Sequence, residues 1–283
     1  MAQQRVSKAE RREAAREQAR LADEKRKRQE RLRRWLIPSG VTLVVIAIVA
    51  VVLIVIANSA PAPQTAAGPR NMVSDGILFT GAGGTPVATA TGAVPAKGTP
   101  SPHPSDVGGD VPHVIEYIDF ACPFCKQFET TNAAKIQSMV AAGTATLEVR
   151  PVAILDRSFE GTRYASRADN AGACVANFSP DDFLAVMNAF YAQQPEENTA
   201  GLTTTQIRTL VRGAGVSSSD VDRCISGETF RSWVSAATAR FLADPAVQTS
   251  NGVGTPTVFV NGKMYTGGVT DAAAFQKALD AAS

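Results

Sequence analysis

Polar and apolar positions divide the chain into blocks of different texture. Residues 1–34 are Ala, Glu, Gln, Arg and Lys with almost no large apolar side chain, the pattern of a solvated helix or a disordered arm rather than of a core. Trp35 to Ala57 is an uncharged stretch of 23 residues, almost entirely aliphatic from Val41 onward. Beyond residue 112, β-branched runs alternate with helix-like segments. Val114–Phe120 reads as a buried strand. Pro123–Ala142 reads as a helix, with proline at its first position and Gly143 past its end. Thr144–Val152 alternates and reads as a strand. Residues 158–244 are helical by composition and punctuation, with helices predicted at Thr162–Asn177, Pro180–Tyr191, Thr204–Gly213, Ser218–Ser226 and Thr229–Ala243. Thr257–Val260, an Asn261-Gly262 turn and Lys263–Thr266 form a hairpin. A closing helix over Thr270–Ala282 takes Thr270 or Asp271 as its cap.

Between these blocks the chain is poor in strong signals. Residues 58–70 read as a semi-extended spacer. Residues 71–112 are rich in Gly, Pro, Thr and Ala; segments 76–80 and 86–91 fit either two short strands or a flexible arm. Residues 98–110 are a loop by composition. The chain thus divides into a basic arm (1–34), an apolar span (35–57), a linker with possible short strands (58–111) and a folded domain (112–283) whose helical insertion covers about 156–248.

Charge changes the picture. The overall net charge of +2 conceals 13 Lys/Arg against 6 Asp/Glu in residues 1–34, and 15 against 20 in the remainder. A bilayer core needs roughly 20 apolar residues as helix. A basic arm ahead of such a span predicts a single-pass anchor with residues 1–34 cytoplasmic and the rest extracytoplasmic. The arm then faces acidic lipid head groups, and no second signal points to nucleic acid. A cleaved signal peptide, cut near Ala57-Asn58-Ser59-Ala60, is the rival reading, but its apolar region would be only about 7–15 residues.

The candidate chemistry sits where the first strand of the domain ends. Cys122-Pro123-Phe124-Cys125 follows the run Val114–Phe120 directly and opens the next helix. Two cysteines three apart on a first helical turn lie on one side and can close a disulfide, so the pair reads as a dithiol redox site; half a zinc site or a structural cystine are the alternatives. At a helix N-terminus, unpaired N–H groups and the macrodipole favour a thiolate at Cys122, and cysteine pKa values there fall to about 3.5–7.5. A stabilised thiolate is a good leaving group.

A second element, Gly254-Thr255-Pro256-Thr257, precedes the late hairpin. In order along the chain, the C-x-x-C, the helical block and G-T-P-T make residues 112–283 resemble the DsbA-like thiol:disulfide oxidoreductases of bacteria, a thioredoxin fold with an inserted α-helical domain, here behind a transmembrane helix. The resemblance implies that Cys122 is the exposed, attacking cysteine and Cys125 the resolving one. It implies a cis Thr255-Pro256 bond that brings substrate-binding backbone against the pair. Pro123 and Phe124 would modulate the site, Phe124 standing where the most oxidising relatives carry histidine. Glu116, six residues before Cys122, would relay protons to Cys125, and alternation turns it inward with Ile118 and Phe120. The substrates implied are thiols of exported proteins, and the reoxidant a membrane partner, DsbB-like or of the vitamin-K-epoxide-reductase type, with no cofactor and no metal. An isomerase or reductase on the same fold is the first alternative.

Cys174 and Cys224 remain. In an oxidising compartment two leftover cysteines pair, so they read as a structural disulfide. The alternative from another class is a metal-binding or purely structural exported domain in which all four cysteines ligate zinc. His103, in a Pro-rich loop, and His113, at a strand edge, read as solvated, and Trp233 as packing.

Overall fold

A computed structural model describes residues 25–27, 65–102 and 111–282. The chain divides into two compact units, Met1–Ala60 and Pro61–Ser283. Of the first, only Lys25–Lys27 is described, and it is helical. The predicted apolar span lies outside the described residues; among the described residues no helix is long and apolar enough to cross a membrane.

The second unit is built on a six-stranded sheet in the order β2-β1-β4-β3-β5-β6. The strands are β1 (Ile77–Ala82), β2 (Thr85–Ala88), β3 (His113–Ile118), β4 (Thr146–Pro151), β5 (Thr257–Val260) and β6 (Lys263–Met264). Helix α1 (Pro123–Ala141) joins the parallel pair β3 and β4. Five helices then leave the sheet before β5: α2 (Tyr164–Phe178), α3 (Phe183–Ala192), α4 (Thr204–Gly213), α5 (Ser219–Ser226) and α6 (Arg231–Ala243). Helix α7 (Ala272–Asp280) closes the chain. The α/β fold with a helical block between strands is therefore the one the sequence implies.

Burial explains the layers. β3 has covered positions on both faces, with Val114, Glu116 and Ile118 on one and Tyr117 on the other. On the first face α1 and α7 pack together, Phe128 meeting Phe275 edge-on at 5.2 Å between centroids. On the second, Tyr117 stacks on Phe241 of α6 at 4.8 Å. Phe120, just past β3, enters an aromatic nest from α3 made by Phe183, Phe190 and Tyr191. This nest joins the insertion to the sheet where the reactive segment begins.

Several predicted boundaries move for local reasons. β3 stops at Ile118, not Phe120, because Asp119–Ala121 turns the chain: the Asp119 carboxylate accepts from the Ala121 N–H at 2.8 Å, and the Cys122 N–H donates to the Asp119 carbonyl at 2.9 Å. The predicted helix from Pro180 begins as a 3-10 turn, Pro180–Asp182, before α3. Asp271, not Thr270, caps α7, accepting from the Ala274 N–H at 2.9 Å. Asn261 and Gly262 both take positive φ, as a tight two-residue hairpin demands.

The segment before residue 102 is part of the domain. β1 pairs with β4 and β2 with β1, so both possible strands form. Asp75 accepts from the Trp233 indole at 3.0 Å and from Arg240 Nε and Nη2 at 2.6 Å each. Ser74 donates to Glu148 at 2.6 Å, and Arg150 Nε meets the same carboxylate at 2.6 Å. Burial opposes ionisation of Glu148, yet His113, Arg150 and Ser74 hold its carboxyl down at about 2. His113, expected to be merely solvated, thus has partners: Thr146 Oγ1 at 2.7 Å and Glu148 at 3.4 Å.

Candidate active site

The reactive segment is assembled from four places in the chain. Asp119 anchors it from within. One carboxylate oxygen takes the Ala121 N–H, and the other takes the N–H groups of Ile154 and Leu155 at 2.9 and 3.0 Å, beyond the end of β4. Burial raises the Asp119 carboxyl to about 7 against the pull of these donors. Cys122 is the N-cap of α1 with extended backbone (φ −83°, ψ 119°), and Pro123 occupies the first turn, where a missing N–H costs nothing. Phe124 points out, 59% exposed.

The two cysteines are free thiols in unequal environments. Cys122 keeps 4% of its surface and Cys125 none. The order of access is the expected one, although Cys122 is far less open than a bare helix N-terminus, since the Thr255 carbonyl sits on its sulfur. That contact is a hydrogen bond from Cys122 Sγ to Thr255 O at 3.2 Å. The Thr255-Pro256 peptide is cis. The Cys122 thiol is lowered to about 6. The hydrogen bond from the Cys125 thiol contributes most; against the cost of burial, Thr255 and the N–H groups of Cys125 and Phe124 add to it. The Thr255 hydroxyl has no partner in the neutral site and is left to favour the thiolate. Cys125 moves the other way, pushed well up by burial and then by the Cys122 sulfur beside it.

One turn along α1 from Cys125, two acids face each other. Glu116 faces inward from β3, 1% exposed, and Glu129 faces it from α1, 6% exposed. The Glu116 oxygens have no partner other than the facing Glu129 carboxyl. Burial first, and the Glu129 carboxylate second, hold Glu116 in its protonated form. Burial raises Glu129 as well. The Tyr191 hydroxyl of α3 is likewise buried without a partner. The sequence reading named Glu116 but missed Glu129, although it follows Cys125 by four residues and so shares its helix face.

From the insertion comes Gln194, just past α3. Its Nε2 donates to the carbonyls of Phe120 and Cys122, each at 3.0 Å. No local pattern announces this residue. It also lines a groove of about 650 Å³ beside Pro123, with Lys126, Gln127, Glu196 and Glu197.

Cys174 and Cys224 lie apart from this site, joined as a disulfide between α2 and α5 with an S–S distance of 2.02 Å. They are therefore not available as thiolates beside Cys122 and Cys125, which removes the four-cysteine zinc arrangement. No group of three or more potential metal ligands occurs among the described residues.

Solved structures share this architecture. DsbA from Mycobacterium tuberculosis, in reduced form, is 25% identical, with 74% of this chain and 100% of that one covered at a TM-score of 0.52. The reduced disulfide bond oxidoreductase DsbG of Mycobacterium tuberculosis is 29% identical, with 64% and 86% covered at 0.51. BdbD from Bacillus subtilis, oxidised, shares the fold at 19% identity, with 78% and 98% covered at 0.52. No curated protein matches. A family model described as thioredoxin matches residues 110–281. That match spans both cysteines, the insertion and the cis-proline loop, and the chain belongs to the thioredoxin family in its DsbA-like form.

Proposed function

We propose that this thiol:disulfide oxidoreductase introduces disulfides into exported proteins by exchange at Cys122 and Cys125, acting outside the cytoplasm from a membrane anchor at residues 35–57. The observation that carries the reading is the opposition of the two sulfurs: Cys122 lowered to about 6 and Cys125 raised. In the oxidised enzyme, a substrate thiolate attacks Cys122 Sγ. The Cys122–Cys125 bond breaks, and Cys125 leaves with the electron pair and takes up a proton, for which the Glu116–Glu129 pair is the adjacent buried source. A second substrate thiolate then attacks the substrate sulfur of the mixed disulfide. Cys122 departs as a stabilised thiolate. The substrate has lost two electrons and gained a disulfide; the enzyme has gained two electrons and is a dithiol. A membrane oxidant, DsbB-like or of the vitamin-K-epoxide-reductase type, accepts those electrons and restores the disulfide.

The exposed Phe124 and the Thr255 backbone flank Cys122 and form the surface on which substrate chain settles. The test is direct. The oxidised protein, mixed with a reduced unfolded disulfide-containing substrate, should form substrate disulfides stoichiometrically while its own pair is reduced. Failure to oxidise the substrate, with reduction of preformed disulfides instead, would assign the reductase direction. Location is tested by protease applied outside intact cells, which should digest residues 71–283 and spare 1–34.

A further inference from the structure

We infer that Gln194 is a positioning residue for the reactive turn: from the helical insertion, its carboxamide pins the carbonyls of Phe120 and Cys122 and so aims the N-terminus of α1 at the Cys122 sulfur. This rests on the reading of Cys122 as the reactive cysteine.

Both N–H groups of one Nε2 are committed, to Phe120 O and Cys122 O at 3.0 Å each. β3 has ended at Ile118, so Phe120 O lies beyond the ladder. Cys122 O also accepts the first helical bond, from the Lys126 N–H at 3.1 Å. Two carbonyls on either side of Ala121 are thus held to a single nitrogen, which fixes the curvature of the turn. The same helix that delivers Gln194 grips the Phe120 ring, with Phe190 at 4.7 Å and Tyr191 at 6.1 Å. The turn is held by its side chain and its backbone from one element.

Two physical effects reach the sulfur. The N–H groups of Phe124 and Cys125 favour the thiolate only while the turn directs them at it. The Phe120 carbonyl, left without Gln194, presents an uncompensated negative end beside a developing negative charge, while the Cys122 carbonyl keeps only its helical bond from Lys126. A clamp serving only to fasten the insertion would affect neither.

The test titrates the Cys122 thiolate by its absorbance near 240 nm in the reduced full-length protein, with the reduction potential measured on the same samples. Gln194→Leu removes both donors. It should raise the titration midpoint, leaving about three- to ten-fold fewer thiolates at a given pH below it, and shift the dithiol–disulfide equilibrium toward the disulfide by a similar factor. Gln194→Lys retains donors for both carbonyls and should keep the low midpoint. If the leucine variant does not fold, the near-isosteric Gln194→Glu substitutes: it offers oxygens to the carbonyls and should raise the midpoint further. The inference is overturned if the leucine and glutamate variants titrate as the parent does, or if lysine raises the midpoint as leucine does. A parent protein with no thiolate transition below the ordinary thiol range overturns the reactive-cysteine reading along with it, a result distinct from a low parent midpoint that the variants leave unmoved.

Discussion

Cys122 Sγ donates a hydrogen bond to the carbonyl oxygen of Thr255, 133 residues further along the chain, at 3.2 Å. A thiol can make that bond and a thiolate cannot. The carbonyl therefore suits the protonated sulfur, while the Thr255 hydroxyl and the N–H groups of α1 suit the anion. The site holds donors and acceptors for the different states through which exchange passes.

The first expected outcome concerns stability against pH. The Cys122 thiol is depressed to about 6 in the folded protein, against about 8.5 when unfolded. A depressed acid stabilises the fold fully above its unfolded value, and the contribution is lost as pH falls through the folded one. At pH 7 this amounts to about 1 kcal/mol in favour of the reduced protein, vanishing near pH 5. Denaturant midpoints of reduced and oxidised protein, compared between pH 5 and 8, should show a reduced-state advantage that grows with pH. A gap independent of pH would contradict the assignment.

Replacement of the buried sulfur separates the two steps of exchange. Cys125→Ser leaves Cys122 able to attack but unable to release its partner internally. Non-reducing gels should show the variant accumulating mixed disulfides that reductant dissolves. Trapping by Cys122→Ser in its place would reverse the two roles.

Cys174–Cys224 closes a loop with a sequence separation of 50 between α2 and α5. Replacing both with alanine should lower unfolding free energy by about 4 kcal/mol in the chain-entropy picture. Substrate oxidation by the folded fraction should be unchanged. A folded double variant that no longer turns over would make this bridge part of electron transfer.

The acid pair predicts a different separation. Glu116→Gln and Glu129→Gln each remove a carboxyl whose folded value burial has raised. Such a group stabilises the fold below its unfolded value, and that stabilisation is lost as pH rises through the folded one. Either variant should therefore be less sensitive to rising pH than the parent. The step that moves a proton at Cys125 should slow by about ten-fold or more, while the Cys122 thiolate titrates as before. Stopped-flow kinetics of mixed-disulfide formation by the oxidised enzyme measure it.

How much of this was legible depended on whether a signal is local. The strand ending in Cys122-Pro-Phe-Cys125, the helix it opens and the Asn261-Gly262 hairpin depend on neighbours in sequence, and all appear where the pattern placed them within two residues. Gly254-Thr255-Pro256 gained meaning only beside the distant C-x-x-C. Glu129 was readable in principle from its spacing to Cys125, but an acid on a charged helix looks like a solvated one until the sheet covers it. Gln194 was not readable at all: its partners are main-chain carbonyls 74 and 72 residues away, which carry no side-chain signature. The Gly- and Thr-rich stretch before residue 102 fitted strand and arm equally because its strands are short and its anchors, Asp75 to Arg240 and Ser74 to Glu148, are tertiary.

That early stretch also decides where the catalytic unit starts. β1 lies along the side of β4 away from β3, pairing Ile77 with Val149 and Phe79 with Leu147, and the fully buried Phe79 ring packs 6.1 Å from Phe183 of the insertion. A fragment begun at residue 110, where the family match begins, would keep both cysteines and the cis-proline loop intact. It would also carry β4 as a naked edge, with main-chain donors and acceptors open to any passing strand. If the substrates are exported protein chains, as proposed above, such a fragment would meet each of them with a sticky edge as well as its reactive sulfur. On the proposed reading, β1 and β2 would deny a substrate that second attachment, so that a client held by one covalent bond could leave when the bond is exchanged.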